Sequence, residues 1–181
     1  MVTRNHNQQG VALLVVLIML IVVGLAAVTG AKDSQLQTKM SINSRAYEQA
    51  YYHAETSLAH AENKLQTETW LISDFDNSNG LFIADKGKAV LPRINASSST
   101  IDIHAVLKEK GRIAKGIDNN IIGFYLVEYL GRVGRAPLNP TNEKNAGDLR
   151  LNAFRITALG QAGLGNKAWA VIQSELRLKP F

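Results

Sequence analysis

The chain of 181 residues has no cysteine, which excludes disulfide frameworks, thiolate zinc sites and cysteine nucleophiles. A domain of this composition outside the cell is held by its core and its sheet alone. Proline is scarce, four residues in all, and between Lys32 and about Gln66 there is neither proline nor glycine. Charge is absent altogether from Val11 to Ala31, 21 positions reading VALLVVLIMLIVVGLAAVTGA. As a helix, at about 1.5 Å per residue, that run spans roughly 31 Å and matches the ~30 Å hydrocarbon core of a bilayer. Apolar residues on every helical face leave no polar face for water. The run therefore reads as a membrane span.

The flanks orient it. Before the run stand Arg4 and no acid, whereas beyond it Lys32 and Asp33 cancel. The positive side is the N-terminal side, so the short leader stays in the cytoplasm and the bulk is exported. An ordinary secretory signal, with an apolar core of about 7–15 residues followed by a small-residue cleavage site, is the competing reading. The run is too long for it. Gly10 marks the border between polar leader and apolar run. A cut after Gly10 would make Val11 the new terminus and keep the apolar helix in the mature chain. Gly24 and Gly30 interrupt the helix, each lowering its stability by up to about 1 kcal/mol relative to alanine. Close packing between helices and local melting both account for them.

Past the span, Leu36, Met40, Tyr47, Ala50, Tyr51, Ala54, Leu58, Ala61 and Leu65 recur at steps of three, four and seven. They draw one stripe along a helix. The span and the stripe run together into a helix of some 55 residues. On another face Glu48, Glu55 and Glu62 recur every seven residues, either as a solvated row or as contacts for basic neighbours in an assembly.

Charge divides the chain. Residues 32–76 carry a net −3 and residues 77–181 a net +7, within a total of +5. The basic half reads as mainly strand. Ile121–Leu130 suits a central strand. Ala153–Leu159 alternates Phe154, Ile156 and Ala158 with Arg155 and Thr157, and Lys167–Lys179 alternates likewise. That is the pattern of an antiparallel sheet with one wet face. Ser73–Gly80 and Asn95–Thr100 read as loops, Gly160–Asn166 as a turn, and Asp102–Gly116 as an ambiguous stretch that allows a short helix. The fold class is α+β: a long N-terminal helix, membrane-spanning in its first half, packed in two layers against a C-terminal antiparallel sheet. Its parts are a leader (1–10), a transmembrane and assembly helix (11–31), an amphipathic continuation (32–66) and a head (67–181).

No catalytic constellation emerges, no metal site is expected and no cofactor is called for. His53 and His60 stand seven apart, about 10.5 Å along a helix axis, too far to share one metal. Gly160, Gly163 and Gly165 precede a strand and do not open a helix, which argues against a dinucleotide loop. Lys108, Lys110, Arg112 and Lys115 fall within eight residues. They suit a solvated face, a subunit contact or a polyanion such as DNA, although no aromatics interleave to stack on bases.

Three stretches resemble the PilX family of type IV minor pilins: the Gly10 border with GVALLVVLIMLIVV, the helix AYEQAYYHAETSLAHAE (residues 46–62), and the closing hairpin FRITALG…AWAVIQSELR (residues 154–177). The resemblance implies cleavage after Gly10 by the prepilin peptidase and N-methylation of Val11. It implies a structural role, not an enzymatic one, in the tip or priming complex of a type IV pilus, supporting adhesion or twitching motility. The implied partners are other minor pilins, the major pilin and a PilY-type tip adhesin. The implied location is the inner membrane, with a periplasmic C-terminus, and then the extracellular fibre. A secretion pseudopilin and an adhesive or DNA-binding pilin are the alternatives. Most pilins place a glutamate at the fifth mature position to neutralise a neighbour's terminal amine; here that position is Val15. A lone carboxylate at the bilayer centre costs about 2.5–3.5 kcal/mol on insertion scales, so valine suits a subunit that lacks one neighbour.

Overall fold

The computed structural model describes residues 8–84, 90–91, 102–134 and 150–179, with side chains from residue 11 onward. Most of the leader and the loop expected at Asn95–Thr100 lie outside the described residues. The chain divides into two compact units, residues 1–44 and 45–181. Helix α1 (Gln8–Thr67) contributes to both. In the first unit every described side chain is exposed.

In the second unit α1 packs on a sheet. There follow a 3-10 turn (Ile72–Asp74), strand β1 (Leu81–Ile83), helix α2 (Ile103–Lys110), and strands β2 (Arg112–Lys115), β3 (Ile121–Val133), β4 (Leu151–Ala162) and β5 (Ala168–Leu178). β3 and β4 form the centre, and β5 lies outside β4, both pairings antiparallel. The far side of β3 is shared by two short strands, β2 antiparallel and β1 parallel to it. The α+β architecture is the one the sequence implies, enlarged by these two strands. Three and four residues are too few to show an alternation, so neither announced itself.

The helix meets the sheet through its smallest side chains. Ala50, Ala54, Ser57, Ala61 and Leu65 are buried at helical spacing. Opposite them stand Gly123 on β3 and its cross-strand partner Gly160 on β4. A Cβ on Gly160 would collide with the carbonyl of Ala50 and the amide nitrogen of Ala54, and one on Gly123 would come within 2.8 Å of Ser57 Oγ. That hydroxyl is satisfied by donating to His53 O at 2.7 Å. Gly160 is therefore a strand residue required by the nearness of helix backbone, not the start of a turn. β4 runs on to Ala162, and the chain reverses at Gly163, whose φ of 79° suits glycine.

Further along, the space between helix and sheet widens and larger residues fill it. Phe75, Tyr129 and Phe154 pack with ring centroids 5.4–6.0 Å apart. Trp70 folds back beside Phe75 and donates from Nε1 to Lys64 O at 3.1 Å, a second donor to a carbonyl that also accepts from Glu68 N at 3.0 Å. The expected stripe is thus half right. Ala50, Ala54, Ala61 and Leu65 are buried and Leu58 is partly so, but Tyr47 and Tyr51 are exposed, as are Leu36 and Met40 in the first unit.

The sheet's other face is covered too, which corrects the expectation of a wet face and two layers. Leu107 of α2 packs with Phe82, Leu91, Leu126 and Leu159. Arg155 and Thr157, assigned to the wet face by alternation, are buried. α2 starts where Asp102 Oδ1 accepts from Ala105 N at 3.2 Å and stops at Gly111, whose N–H reaches Leu107 O. Alternation tells which residues share a face but not whether another segment of the chain folds over it.

The Gly160 contact can be tested directly. Gly160→Val should destabilise the head by an amount at or above the upper end of the about 1–3 kcal/mol typical of overpacking. Urea unfolding of the full chain in detergent, followed by tryptophan fluorescence, measures it. An unchanged midpoint would mean that the helix does not sit on this glycine.

Candidate assembly and contact surfaces

Val11–Ala31 presents its side chains outward all round: Leu13 is 71% exposed, and even Val15, the least exposed of the large ones, is 46% exposed. Burying one Val, Leu or Ile is worth about 1.5–3 kcal/mol. Left in water, this run would forgo more than the about 5–15 kcal/mol of net stability that a whole domain commands. It is the one helix among the described residues long and apolar enough to cross a membrane. Thr29 is compatible with lipid because its Oγ1 donates to Leu25 O at 2.9 Å. Gly10 and Val11 both fall within α1. At Gly24 and Gly30 an added Cβ would meet nothing within 4 Å. Neither glycine is demanded by the chain's own packing.

The three glutamates do not form one row. Glu48 and Glu55 are exposed, whereas Glu62 is half-buried and accepts from Ser174 Oγ of β5 at 3.0 Å. Glu62 therefore helps seat the helix on its own sheet. The basic cluster is divided as well. Lys108 and Lys110 are exposed on α2 and Lys115 is exposed on β2. Arg112 points toward the α1 side of the sheet, where Nε donates to Asn79 O at 2.6 Å and the guanidinium lies 5.7 Å from the Trp70 ring. α2 occupies the opposite face, so the four cations present no single surface.

The histidines have separate attachments. His53 Nδ1 lies 2.6 Å from Gln161 O, and His60 stacks edge-on against Tyr125 at 5.8 Å. His104 lies 5.2 Å from the Trp169 ring and pairs with Gln161 Nε2 at 3.2 Å. Among the described residues no three His, Cys, Asp or Glu side chains gather as a metal site would need. A cleft of about 520 Å³ opens between α1 and the β2–β3 turn, with Gln49, Tyr52, His53, Asp118, Asn120 and Ile122 in its lining.

One polar cluster went unnoticed in the sequence. Glu128 of β3 pairs across with Arg155 of β4, and Arg155 with Glu175 of β5. Glu128 and Arg155 are buried. Glu128 Oε1 accepts from the backbone N–H groups of Val90 and of Leu91, the latter at 3.1 Å. Arg155 Nη1 donates to Leu91 O at 3.5 Å, and its Nη2 meets Glu175 Oε1 at 3.1 Å. The cluster pins Leu91 into the second core. Burial raises the Glu128 pKa above the usual carboxylate range, opposed by the two backbone donors and by Arg155. The available signal was an acid inside the apolar run IIGFYLVEYL facing an arginine in the next strand.

An apolar helix uncovered on every side, joined in sequence to a helix stretch that packs on its own sheet, fits a single-pass membrane anchor in a pilin. Residues 9–59 match the family model described as PilX N-terminal. The match supports a type IV pilus PilX-family minor pilin, a family of structural subunits. It ends within α1. No curated protein and no solved structure matches the chain.

A group whose pKa is higher in the folded chain than in the unfolded one contributes stability at low pH. That contribution is present below the ordinary glutamate value and is lost as pH rises through the raised one. Thermal melts from about pH 4.5 to pH 8 should therefore show the wild type losing stability relative to Glu128→Gln. A constant difference across that range would contradict the burial cost assigned to Glu128.

Proposed function

We propose that the protein is a minor pilin of a type IV pilus, working in the tip or priming complex that supports pilus assembly and, through it, adhesion or twitching motility. The observation that carries this reading is the charge-free, fully exposed helix Val11–Ala31 inside the segment that matches PilX. In the inner membrane lipid covers that helix, with the head in the periplasm. In the fibre the helices of other minor pilins and of the major pilin cover it. Neither exchange needs a change in the head. The prepilin peptidase cuts after Gly10, and Val11 becomes the methylated terminus. Gly24 and Gly30, free of demands from their own chain, let neighbouring helices approach closely.

Val15 fits the first position in a fibre. A subunit with no neighbour on one side has no terminal amine to neutralise, and a carboxylate there would remain in the apolar core without a partner. Glu48 and Glu55 are exposed on α1, where basic groups on neighbouring subunits meet them. Lys108, Lys110 and Lys115 face outward for acidic ones, with a PilY-type adhesin as the head's partner at the tip.

Two measurements test this. Mass spectrometry of sheared surface fibres should find a peptide beginning at methylated Val11; a product beginning near Lys32 would mean that the helix is discarded, and the reading would be lost. Val15→Glu should leave piliation and tip-adhesin display no better, or reduce both. A rise in adhesin display at unchanged piliation would remove Val15 as a marker of the first position.

A further inference from the structure

The cleft between α1 and the β2–β3 turn is lined by several groups that can only accept. It measures about 520 Å³, inside the range of about 300–1,000 Å³ of ligand clefts. His53 Nδ1 lies 2.6 Å from the backbone carbonyl of Gln161. A carbonyl only accepts, so Nδ1 carries the proton, and the neutral ring keeps Nε2 as an acceptor. Thr56 uses its one donor on Tyr52 O at 2.9 Å, which leaves its oxygen to accept. Asp118, exposed on the turn, is acceptor-only and has no hydrogen-bond or ion-pair partner among the described residues. No lysine or arginine is among the described residues that line the cleft; Lys115 precedes the turn and stays outside the lining.

This set of groups narrows the ligand. Two neutral acceptors and a carboxylate, with no cation beside them, do not hold a phosphate or another carboxylate. A metal would need more ligands than gather here. A cation with several N–H donors suits them, and the rest of the lining says which. Tyr52, 65% exposed, brings an aromatic ring to the cleft. A guanidinium stacks on such a ring and presents five N–H donors in one plane, whereas an ammonium is a compact, strongly hydrated point charge. Ile117 and Ile121 are exposed in the same wall. Free arginine would leave them in water, but an arginine within a protein segment can bring apolar neighbours to cover them.

We propose that this cleft is the docking site for an arginine side chain of a partner protein, held by Asp118 and the Tyr52 ring and flanked by apolar residues that cover Ile117 and Ile121. The site lies wholly in the head and does not rest on the fibre reading.

The probe is the peptide acetyl-Gly-Ile-Arg-Ile-Gly-amide, titrated into the full chain in detergent while backbone amide signals are followed by NMR. Saturable shifts should gather at residues 49–56 and 116–122. Replacing the peptide's arginine by citrulline, neutral but of the same shape, should weaken binding about tenfold, as expected for a lost charge-assisted contact. Asp118→Asn should remove that preference and leave the two peptides equal within about twofold. Glu109→Gln removes the same charge from an exposed position on α2, on the opposite face of the sheet, and should leave the preference intact. Both substitutions are exposed and conservative, so both variants should melt with the wild type. Equal binding of the two peptides by the wild type, insensitivity to Asp118→Asn, shifts centred elsewhere, or no saturable shift up to about 10 mM peptide would each overturn the proposal. So would argininamide binding as tightly as the peptide, because the cleft would then be a small-molecule site and not a protein-docking one.

Discussion

Everything in the head is arranged around one close approach: the backbone of α1 lying on the sheet at Gly160, with the Ser57 side chain against Gly123 beside it. Helix and strand backbones come this near only where neither carries a bulky side chain. Alanines at 50 and 54 and a serine at 57, back-bonded so that its hydroxyl costs nothing there, supply one half of the contact. The two glycines, paired across β3 and β4, supply the other. The contact fixes the rotation of the helix. Leu58, Ala61 and Leu65 then point into the widening wedge occupied by Phe75, Tyr129 and Phe154, and Tyr47 and Tyr51 are turned outward.

The same rotation sorts the charges. Glu62 comes to rest against Ser174 of β5 and serves the fold, whereas Glu48 and Glu55 stay outside. On the far face of the sheet a ladder of buried Glu128, buried Arg155 and exposed Glu175 crosses three strands and holds the backbone at Leu91. An ionic cluster of this kind is weak evidence for net stability, because its desolvation cost rivals its attraction. Its effect is to specify where the segment at Val90–Leu91 must lie, since Glu128 Oε1 accepts from those two amides whereas Oε2, buried beside it, has no hydrogen-bond partner among the described residues. With α2 on the same side, this closes a second core that a purely amphipathic sheet would not need.

The apolar front of α1 obeys a different constraint. It gains nothing from its own chain and is stable only in the company of lipid or of other apolar helices. A helix so indifferent to its own chain fits a single-pass anchor in a pilin.

The sequence by itself determined what depends on local periodicity and on composition. The charge-free length of Val11–Ala31 set the candidate membrane span, and the unbroken helix formers beyond it set the continuation. The apolar, aromatic run in β3 and the alternation in β4 and β5 set the three long strands, because each of these signals extends over enough residues to be read without knowing its neighbours. Only the tertiary structure decided which residues those elements turn toward each other. Gly160 reads as a turn until a helix backbone is laid on it, Arg155 reads as wet until α2 and Leu91 cover it, and Arg112 reads as part of a basic cluster until Asn79 and Trp70 take it to the other face. β1 and β2 are too short to carry a pattern and exist because β3 offers them an edge. In each case the missing information was a contact between residues far apart in the chain, and no local spacing encodes that.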